Sequence, residues 1–213
     1  MNETSNNAFT VVIWGDSIAA GNAQYKWPSL AELKCNLVIN SGKKIKIINE
    51  GTGGMAAAHA LKEFYSRVLQ HKPDLVIIQF GFNDMRFDGS RINKPISTIE
   101  EFEDHISKMV LLCHNEAKAK VLLLGNHRTR LRLTLPSGID YDEARIQYNL
   151  AIERVAKKYN VMFFDMSKEL NIPEAKWYEY LCEDGVHLSP LGFYAYASRI
   201  AGIIAGIIKQ ERI

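Results

Sequence analysis

Cysteine is scarce in this sequence, with three residues in 213 and no Cys-x-x-Cys pair. An odd number of isolated cysteines argues against both a disulfide framework and a metal site of the zinc type. The sequence also lacks a large excess of either charge: 26 basic and 24 acidic side chains leave a net charge of only +2. A chain this close to neutrality has no basic stripe that would gather phosphates, so nucleic acid is not an expected partner.

Long hydrophobic runs are missing as well. The most apolar stretch, residues 200–208, has about half of the roughly 20 residues that a membrane span needs, and Arg199 interrupts it upstream. We therefore expect a buried helix there and no membrane span. Residues 1–10 show neither the basic segment nor the apolar core of a secretory signal, which favours a cytoplasmic location.

Short apolar segments alternate with segments of helical periodicity along the whole chain. The length suits one domain over residues 1–213, with a flexible tail over residues 1–8. Apolar residues recur at helical intervals in residues 99–118 and 141–158. Five apolar runs lack the alternation of half-exposed strands and read as buried parallel strands. These runs are Phe9–Trp14, Lys44–Asn49, Asp74–Phe80, Lys120–Gly125 and Val161–Asp165.

Alternation of strands and helices predicts a doubly wound α/β sandwich, whose ligands bind beyond the carboxyl ends of the strands. The first strand leads into Gly15–Ile18, where Ser17 sits in the turn before a helix. A serine at this place can point its hydroxyl into the cleft, and the amides at the helix start can face a developing oxyanion. An ordinary turn of glycine, aspartate and serine remains the alternative.

Glycines follow the second strand in the segment Asn49–Gly54. Gly51, Gly53 and Ala56 match the spacing of a dinucleotide-binding fingerprint, but that fingerprint needs an acidic residue at the end of the next strand. Asp74 stands at the start of that strand, so we reject a dinucleotide site. The glycines instead allow the backbone to approach a ligand closely, or simply make a turn.

Two more polar clusters follow strands. Asn83, after the third strand, offers a side-chain amide of the kind that oxyanion holes use. Asp184 and His187 follow the fifth strand, and a carboxylate at this spacing can orient an imidazole that acts as a general base. A local hydrogen bond or helix cap is the alternative for this pair. Topology brings all these clusters to one edge of one sheet, which favours a shared catalytic site.

With these clusters in this order, the sequence resembles the SGNH (GDSL-type) hydrolase family over nearly its full length. The resemblance rests on GDSI at residues 15–18, NEGTGG at residues 49–54, GFND at residues 81–84 and DGVH at residues 184–187. It implies that Ser17 is the nucleophile, with Asp184 and His187 completing a catalytic triad. It further implies an oxyanion hole formed by the amides of Ser17 and Gly54 and the side chain of Asn83. Gly54 is matched by its spacing from Asn49, and Gly53 is its neighbouring alternative.

The same resemblance implies a flavodoxin-like three-layer fold, with a five-stranded parallel sheet in the order 2-1-3-4-5 and helices on both faces. It implies hydrolysis of esters or thioesters through an acyl-enzyme, with neither metal nor cofactor. We expect a short-acyl, acetyl-type esterase acting on small-molecule or carbohydrate esters. A thioesterase or lysophospholipase with the same triad is one alternative. A non-catalytic protein that binds an anion or another ligand on this fold is a second.

Basic residues in the loop after the fourth strand are candidates for substrate contacts. His127 and Arg128 follow that strand on the cleft side. Arg128, Arg130 and Arg132 alternate with apolar or small residues, so an extended segment would present three guanidinium groups on one face. Together with the arginines of residues 85–97, they would favour an anionic substrate, and a solvated edge is the alternative.

Overall fold

Five parallel strands form one sheet in the computed structural model, which describes residues 8–21, 26–38, 44–91 and 93–210. Each strand lies within one residue of the bounds predicted from its apolar run. The tail predicted over residues 1–8 lies, except for residue 8, outside the described residues. The strands are β1 (Phe9–Gly15), β2 (Ile45–Asn49), β3 (Leu75–Gln79), β4 (Lys120–Gly125) and β5 (Met162–Asp165).

Helices connect the strands within the described ranges. Short helical turns at Leu69–His71, Cys113–Ala117 and Glu174–Lys176 supplement them. The helices are α1 (Ser17–Ala20), α2 (Trp27–Val38), α3 (Ala57–Arg67), α4 (Ile99–Leu112), α5 (Tyr141–Tyr159), α6 (Met166–Glu169), α7 (Trp177–Tyr180) and α8 (Pro190–Gln210).

The sheet has the order β2-β1-β3-β4-β5, which confirms the predicted flavodoxin-like order. The chain first passes from β1 to β2 and then returns across β1 to form β3, β4 and β5. Because crossovers between parallel strands are right-handed, this reversal puts the connecting helices on opposite faces. Helix α2 packs against α8, and α3, α4 and α5 pack side by side. The reversal falls between β1 and β3, where such folds place their ligand crevice.

The central strands are buried on both faces, which explains why their apolar residues do not alternate. Every residue of β3 is buried, and Ile13 and Trp14 of β1 have no exposed surface. The edge strand β5 is only half-buried. The sheet therefore forms a rigid platform, and the loops beyond its carboxyl ends are free to vary in sequence.

Helix α8 has an apolar composition that its packing explains. By length and composition alone, Pro190–Lys209 would suffice to cross a membrane, but an 18-residue part of it is 61% buried within this fold. Tyr196, Ile200 and Ile204 have no exposed surface. Burial against the rest of the molecule thus accounts for the apolar stretch at residues 200–208.

Candidate active site

The turn between β1 and α1 presents Ser17 at the head of a helix. Gly15 ends β1 beside β3, where a Cβ atom would lie 2.8 Å from the carbonyl oxygen of Gln79, so glycine is required. Asp16 caps α1, and its Oδ1 accepts a 2.9 Å hydrogen bond from the amide of Ile18. Ser17 is the first helical residue, so its own amide has no acceptor within the helix.

A continuous hydrogen-bond chain joins Ser17 to the loop that precedes α8. The Nε2 atom of His187 lies 2.9 Å from the Ser17 Oγ, although 170 residues separate the two in sequence. On the other side of the ring, Nδ1 lies 2.7 Å from Oδ2 of Asp184. This is the arrangement of nucleophile, base and orienting carboxylate that serine hydrolases use. The three residues that the sequence proposes as a triad therefore lie together.

The Asp184 carboxylate shapes its loop as well as orienting the imidazole. Its Oδ1 accepts hydrogen bonds from the amides of Val186 at 2.8 Å and His187 at 2.9 Å. Partial burial would by itself raise the pKa of Asp184, but these amides and the His187 ring outweigh it and lower the pKa below its ordinary value. An ionised Asp184 fixes the Nδ1–H tautomer, which leaves Nε2 free to accept the proton of Ser17.

The glycine-rich loop after β2 packs against the nucleophile turn. A Cβ atom on Gly51 would lie 2.4 Å from the amide nitrogen of Ala20, so this glycine permits contact with α1 rather than with a ligand. Asn49 bridges the same two segments, donating to the carbonyl of Ala19 at 3.0 Å and accepting from the amide of Gly51 at 3.0 Å. The end of β2 is thereby fixed to the helix that carries Ser17.

Gly54 occupies a turn that only a glycine adopts without strain. The amide of Met55 donates to the carbonyl of Thr52, and Gly54 at the third position of this turn has a φ of 75°. Gly53 and Gly54 are both exposed, and no described atom lies within 4 Å of a Cβ built on either. The turn thus leaves open space around its backbone, which the Gly54 amide needs if a substrate is to approach it.

Arg67 of α3 anchors this loop, a role that the sequence did not reveal. Its guanidinium donates to the Glu50 side chain at 3.0 Å, to the Glu50 carbonyl at 3.0 Å and to the Thr52 hydroxyl at 2.8 Å. It also lies over the ring of Trp14. Arg67 also pairs with Glu63, four residues earlier on the same helix. This is the one partner among those named here that helical spacing could have predicted.

Asn83 lies in the loop after β3, the strand that flanks β1 on the side away from β2. The residue is 7% exposed, and its Nδ2 donates to the carbonyl of Met55 at 3.2 Å. Its Oδ1 accepts a 3.3 Å hydrogen bond from Nη1 of Arg86. The next residue, Asp84, ties the loop to α3 because its Oδ1 accepts from the amide of Ala57 at 2.9 Å.

Two buried carboxyl groups lie beneath the site. Asp16 and Asp84 have no exposed surface, and Oδ2 of each has no hydrogen-bond partner among the described residues. Burial raises the pKa of Asp16 to about 7 and that of Asp84 to about 6. In the folded state burial favours the protonated form of both carboxyl groups, because a buried carboxylate without a cation beside it is energetically unfavourable.

The two proposed substrate contacts after β4 do not reach the cleft, which corrects that prediction. His127 has no exposed surface: its Nδ1 lies 2.6 Å from the hydroxyl of Tyr196 and its Nε2 lies 2.8 Å from the carbonyl of Val186. Arg128 lines a different cavity, beside α5, and lies 3.4 Å from Glu174. His127 therefore supports the backbone next to His187 from below.

The alternating arginines after β4 point away from the cleft, contrary to the hypothesis of an anion-binding face. Leu131 and Leu133 line the cleft, whereas Arg130 and Arg132 are exposed and do not. The period of two is present, but the leucine side rather than the arginine side meets the cleft: Leu131 is partly buried against the core, and Leu133 is exposed at the cleft wall. In the other loop Arg91 pairs with Glu101, and Arg86 is the only arginine among the described cleft residues.

A cleft of about 610 Å³ opens over the candidate triad, with Ser17, Asn83 and His187 in its wall. A second cavity of about 250 Å³ shares Phe87 and Leu135 with it, so these two side chains stand between the two spaces. The cleft combines a few polar groups with apolar walls, as small-molecule sites do. The apolar wall consists of Phe82, Phe87, Leu131, Leu133, Leu135, Pro136, Tyr141 and Val186.

Several proteins similar to this chain carry the names of hydrolases. Thioesterase 1/protease 1/lysophospholipase L1 of Escherichia coli (strain K12) is 26% identical over 183 residues, which cover 84% of this chain and 76% of that protein. An acetylxylan esterase of Geobacillus stearothermophilus is 24% identical over 156 residues, 70% of this chain and 67% of that protein. The crystal structure of a lipase/acylhydrolase from Enterococcus faecalis superposes with a TM-score of 0.74 at 26% identity, covering 92% of this chain and 95% of that one.

Residues 13–195 match the GDSL-like lipase/acylhydrolase family, and this range contains every residue that the sequence assigned to the triad and the oxyanion hole. The match covers well over half of the chain. This protein is an ester hydrolase and belongs to the GDSL-like lipase/acylhydrolase family.

Proposed function

We propose that this protein hydrolyses carboxylic esters of small molecules through an acyl-enzyme on Ser17, with a short acyl group as the preferred one. The observation that carries the proposal is the hydrogen-bond chain from Asp184 through His187 to Ser17. A protein that only binds a ligand has no use for a nucleophile, a base and an orienting carboxylate at these distances.

The proposed reaction begins with attack of the Ser17 Oγ on the carbonyl carbon, while its proton passes to Nε2 of His187. The amides of Ser17 and Gly54 and Nδ2 of Asn83 hold the negative oxygen of the tetrahedral intermediate. The intermediate collapses, and the departing alcohol takes the proton from His187. His187 then takes a proton from water as the water attacks the acyl-enzyme, and it returns this proton to the departing Ser17 Oγ, which releases the carboxylic acid and free Ser17.

The short-acyl assignment is supported by the similarity to an acetylxylan esterase, which also makes a carbohydrate ester a reasonable substrate. A second candidate function, hydrolysis of longer acyl esters or thioesters, is favoured by the apolar wall of the cleft and by the similarity to a thioesterase/lysophospholipase. The two functions share the same chemistry and differ only in what fills the cleft.

Hydrolysis of a p-nitrophenyl ester series from acetyl to dodecanoyl tests the proposal. We expect wild-type activity to be highest on the shortest esters and Ser17→Ala to lose about 10⁶-fold in kcat. Ser66→Ala is the matched control, because Ser66 is an exposed serine on α3. If the second function holds, kcat/KM instead rises about fourfold for each buried methylene. Equal rates for wild type and Ser17→Ala would exclude Ser17 as the nucleophile.

A further inference from the structure

Arg86 forms no ion pair with a carboxylate among the described residues, unlike three other arginines near the site. Arg67 pairs with Glu50, Arg91 with Glu101 and Arg145 with Asp142. The guanidinium of Arg86 instead makes its hydrogen bond to a neutral acceptor, the Oδ1 of Asn83, within the part of the chain that the structure describes. Arg86 is exposed and lines the cleft. The nearby Asp88 carboxyl has a lowered pKa, chiefly through hydrogen bonds from Ser90 and to a smaller extent through the charge of Arg86. A positive charge without a direct ion pair among the described residues thus lines the cleft beside Asn83.

The contacts with Met55 and Arg86 together determine which way the Asn83 amide faces. Nδ2 of Asn83 donates to the carbonyl of Met55 at 3.2 Å, and Oδ1 accepts from Nη1 of Arg86 at 3.3 Å. A flipped amide would set its oxygen against the Met55 carbonyl and its NH₂ group against the guanidinium, and both pairs repel. The observed orientation uses one Nδ2 hydrogen on Met55 and leaves the second one for another acceptor.

The same contact increases the strength of that remaining donor. A cation bonded to the amide oxygen draws electron density from the amide nitrogen, so its N–H becomes a better donor to a negative oxygen. Asn83 is only 7% exposed, so its amide is shielded from water although the guanidinium of Arg86 is exposed, and the effect acts through the direct hydrogen bond between them. The loop is already held in place independently of Arg86, because Asp84 bonds to the amide of Ala57 and to the hydroxyl of Ser97.

We propose that Arg86 is a positioning residue for the oxyanion hole: its guanidinium holds the Asn83 amide with Nδ2 toward the reacting carbonyl and strengthens that donor. This inference rests on the proposed function, since it concerns the transition state of the Ser17 reaction. Loss of Arg86 should therefore lower kcat rather than weaken substrate binding. Its effect cannot exceed that of Asn83 itself, because it acts through that side chain.

A double-mutant cycle tests the proposal with wild type, Arg86→Ala, Asn83→Ala and the double variant on p-nitrophenyl acetate. Loss of one oxyanion donor typically costs about 10²–10³ in turnover, which we expect for Asn83→Ala. Arg86→Ala should lower kcat about tenfold and leave KM within about twofold. In the Asn83→Ala background, removal of Arg86 should have no further effect on kcat. Arg86→Lys, which keeps a charged donor, should recover more activity than Arg86→Gln.

The control is Arg132→Ala, which removes the same charge from an exposed residue outside the cleft and should leave kcat unchanged. Multiplicative losses in the double variant, or a rise in KM with kcat unchanged, would overturn the proposal and show that Arg86 contacts the substrate directly. Unchanged kinetics in Arg86→Ala would overturn it as well.

A readout without turnover separates this inference from the proposed function. The Asn83 side-chain amide signals in a ¹H–¹⁵N correlation spectrum, assigned by their loss in Asn83→Ala, should shift in Arg86→Ala and stay in place in Arg132→Ala. Unshifted signals would show that the contact does not exist in solution. Equal rates for wild type and Ser17→Ala, with the amide signals shifted as expected, would instead count against the proposed function alone.

Discussion

Two histidines lie near the same loop, and their hydrogen-bond partners give them different roles. His187 is about half-exposed and lies between a carboxylate and a hydroxyl, so its ring can exchange protons with a substrate. His127 has no exposed surface and lies between the hydroxyl of Tyr196 and the carbonyl of Val186. Its neutral form satisfies both contacts, with Nε2 donating and Nδ1 accepting. His127 is therefore a structural residue that supports the catalytic loop.

The burial of His127 predicts a specific dependence of stability on pH. Burial lowers the pKa of His127 from 6.5 to about 4, so the unfolded chain binds a proton at higher pH than the folded chain does. The stability that this residue contributes is fully present above pH 6.5 and is lost as the pH falls toward 4. We expect the difference in unfolding free energy between wild type and His127→Gln to shrink over that interval.

Urea unfolding of both proteins from about pH 8 to about pH 4 checks this expectation. The difference between the two curves is the diagnostic quantity, because Asp16 and Asp84 act in the opposite direction. Burial raises their pKa values to about 7 and about 6, so their contribution is present at low pH and is lost as the pH rises through those values. Parallel curves for the two proteins would contradict the assignment of His127.

At the scale of elements, the loop after β2 and the helix α1 act as one unit. Gly51→Ala would place a Cβ atom 2.4 Å from the amide nitrogen of Ala20 and 2.7 Å from the carbonyl carbon of Ala19. Since both are backbone atoms, the loop must move away from α1 at a cost of about 1–3 kcal/mol in unfolding free energy. The movement would also displace the Gly54 turn, so kcat should fall with stability.

Gly53→Ala is the matched control, because no described atom lies within 4 Å of a Cβ at that position. We expect its melting temperature and kcat to stay close to those of wild type. Thermal unfolding and ester hydrolysis measured side by side compare the two variants. Equal tolerance of alanine at Gly51 would show that the loop and α1 are not packed as described.

Element boundaries were largely predictable, whereas the direction of side chains in loops was not. Buried parallel strands are apolar throughout, so the limits of an apolar run mark the limits of β4 to the residue. The alternation after β4 predicted two faces correctly but assigned the cleft to the arginine face. That choice depends on other loops that line the same cleft, such as the one that carries Phe87. Local periodicity does not record which partner a face meets.

At the scale of the whole molecule, the sheet order explains why the site residues could be found from the sequence. Parallel strands end at one edge, so Ser17, Asn83 and Asp184 share a region although they are far apart in sequence. The residues that support them, such as Arg67 and His127, were missed or misassigned. Their partners lie on other elements, and such pairings follow from packing in three dimensions rather than from spacing along the chain.

The central claim is that Ser17 is an activated nucleophile, and covalent labelling tests it most directly. The protein is incubated with a fluorophosphonate, and the adduct is measured by intact mass and located by peptide mapping. We predict a single adduct on Ser17 in wild type and in Ser66→Ala, and none in Ser17→Ala. An unlabelled wild type, or an adduct that persists in Ser17→Ala, would contradict the claim.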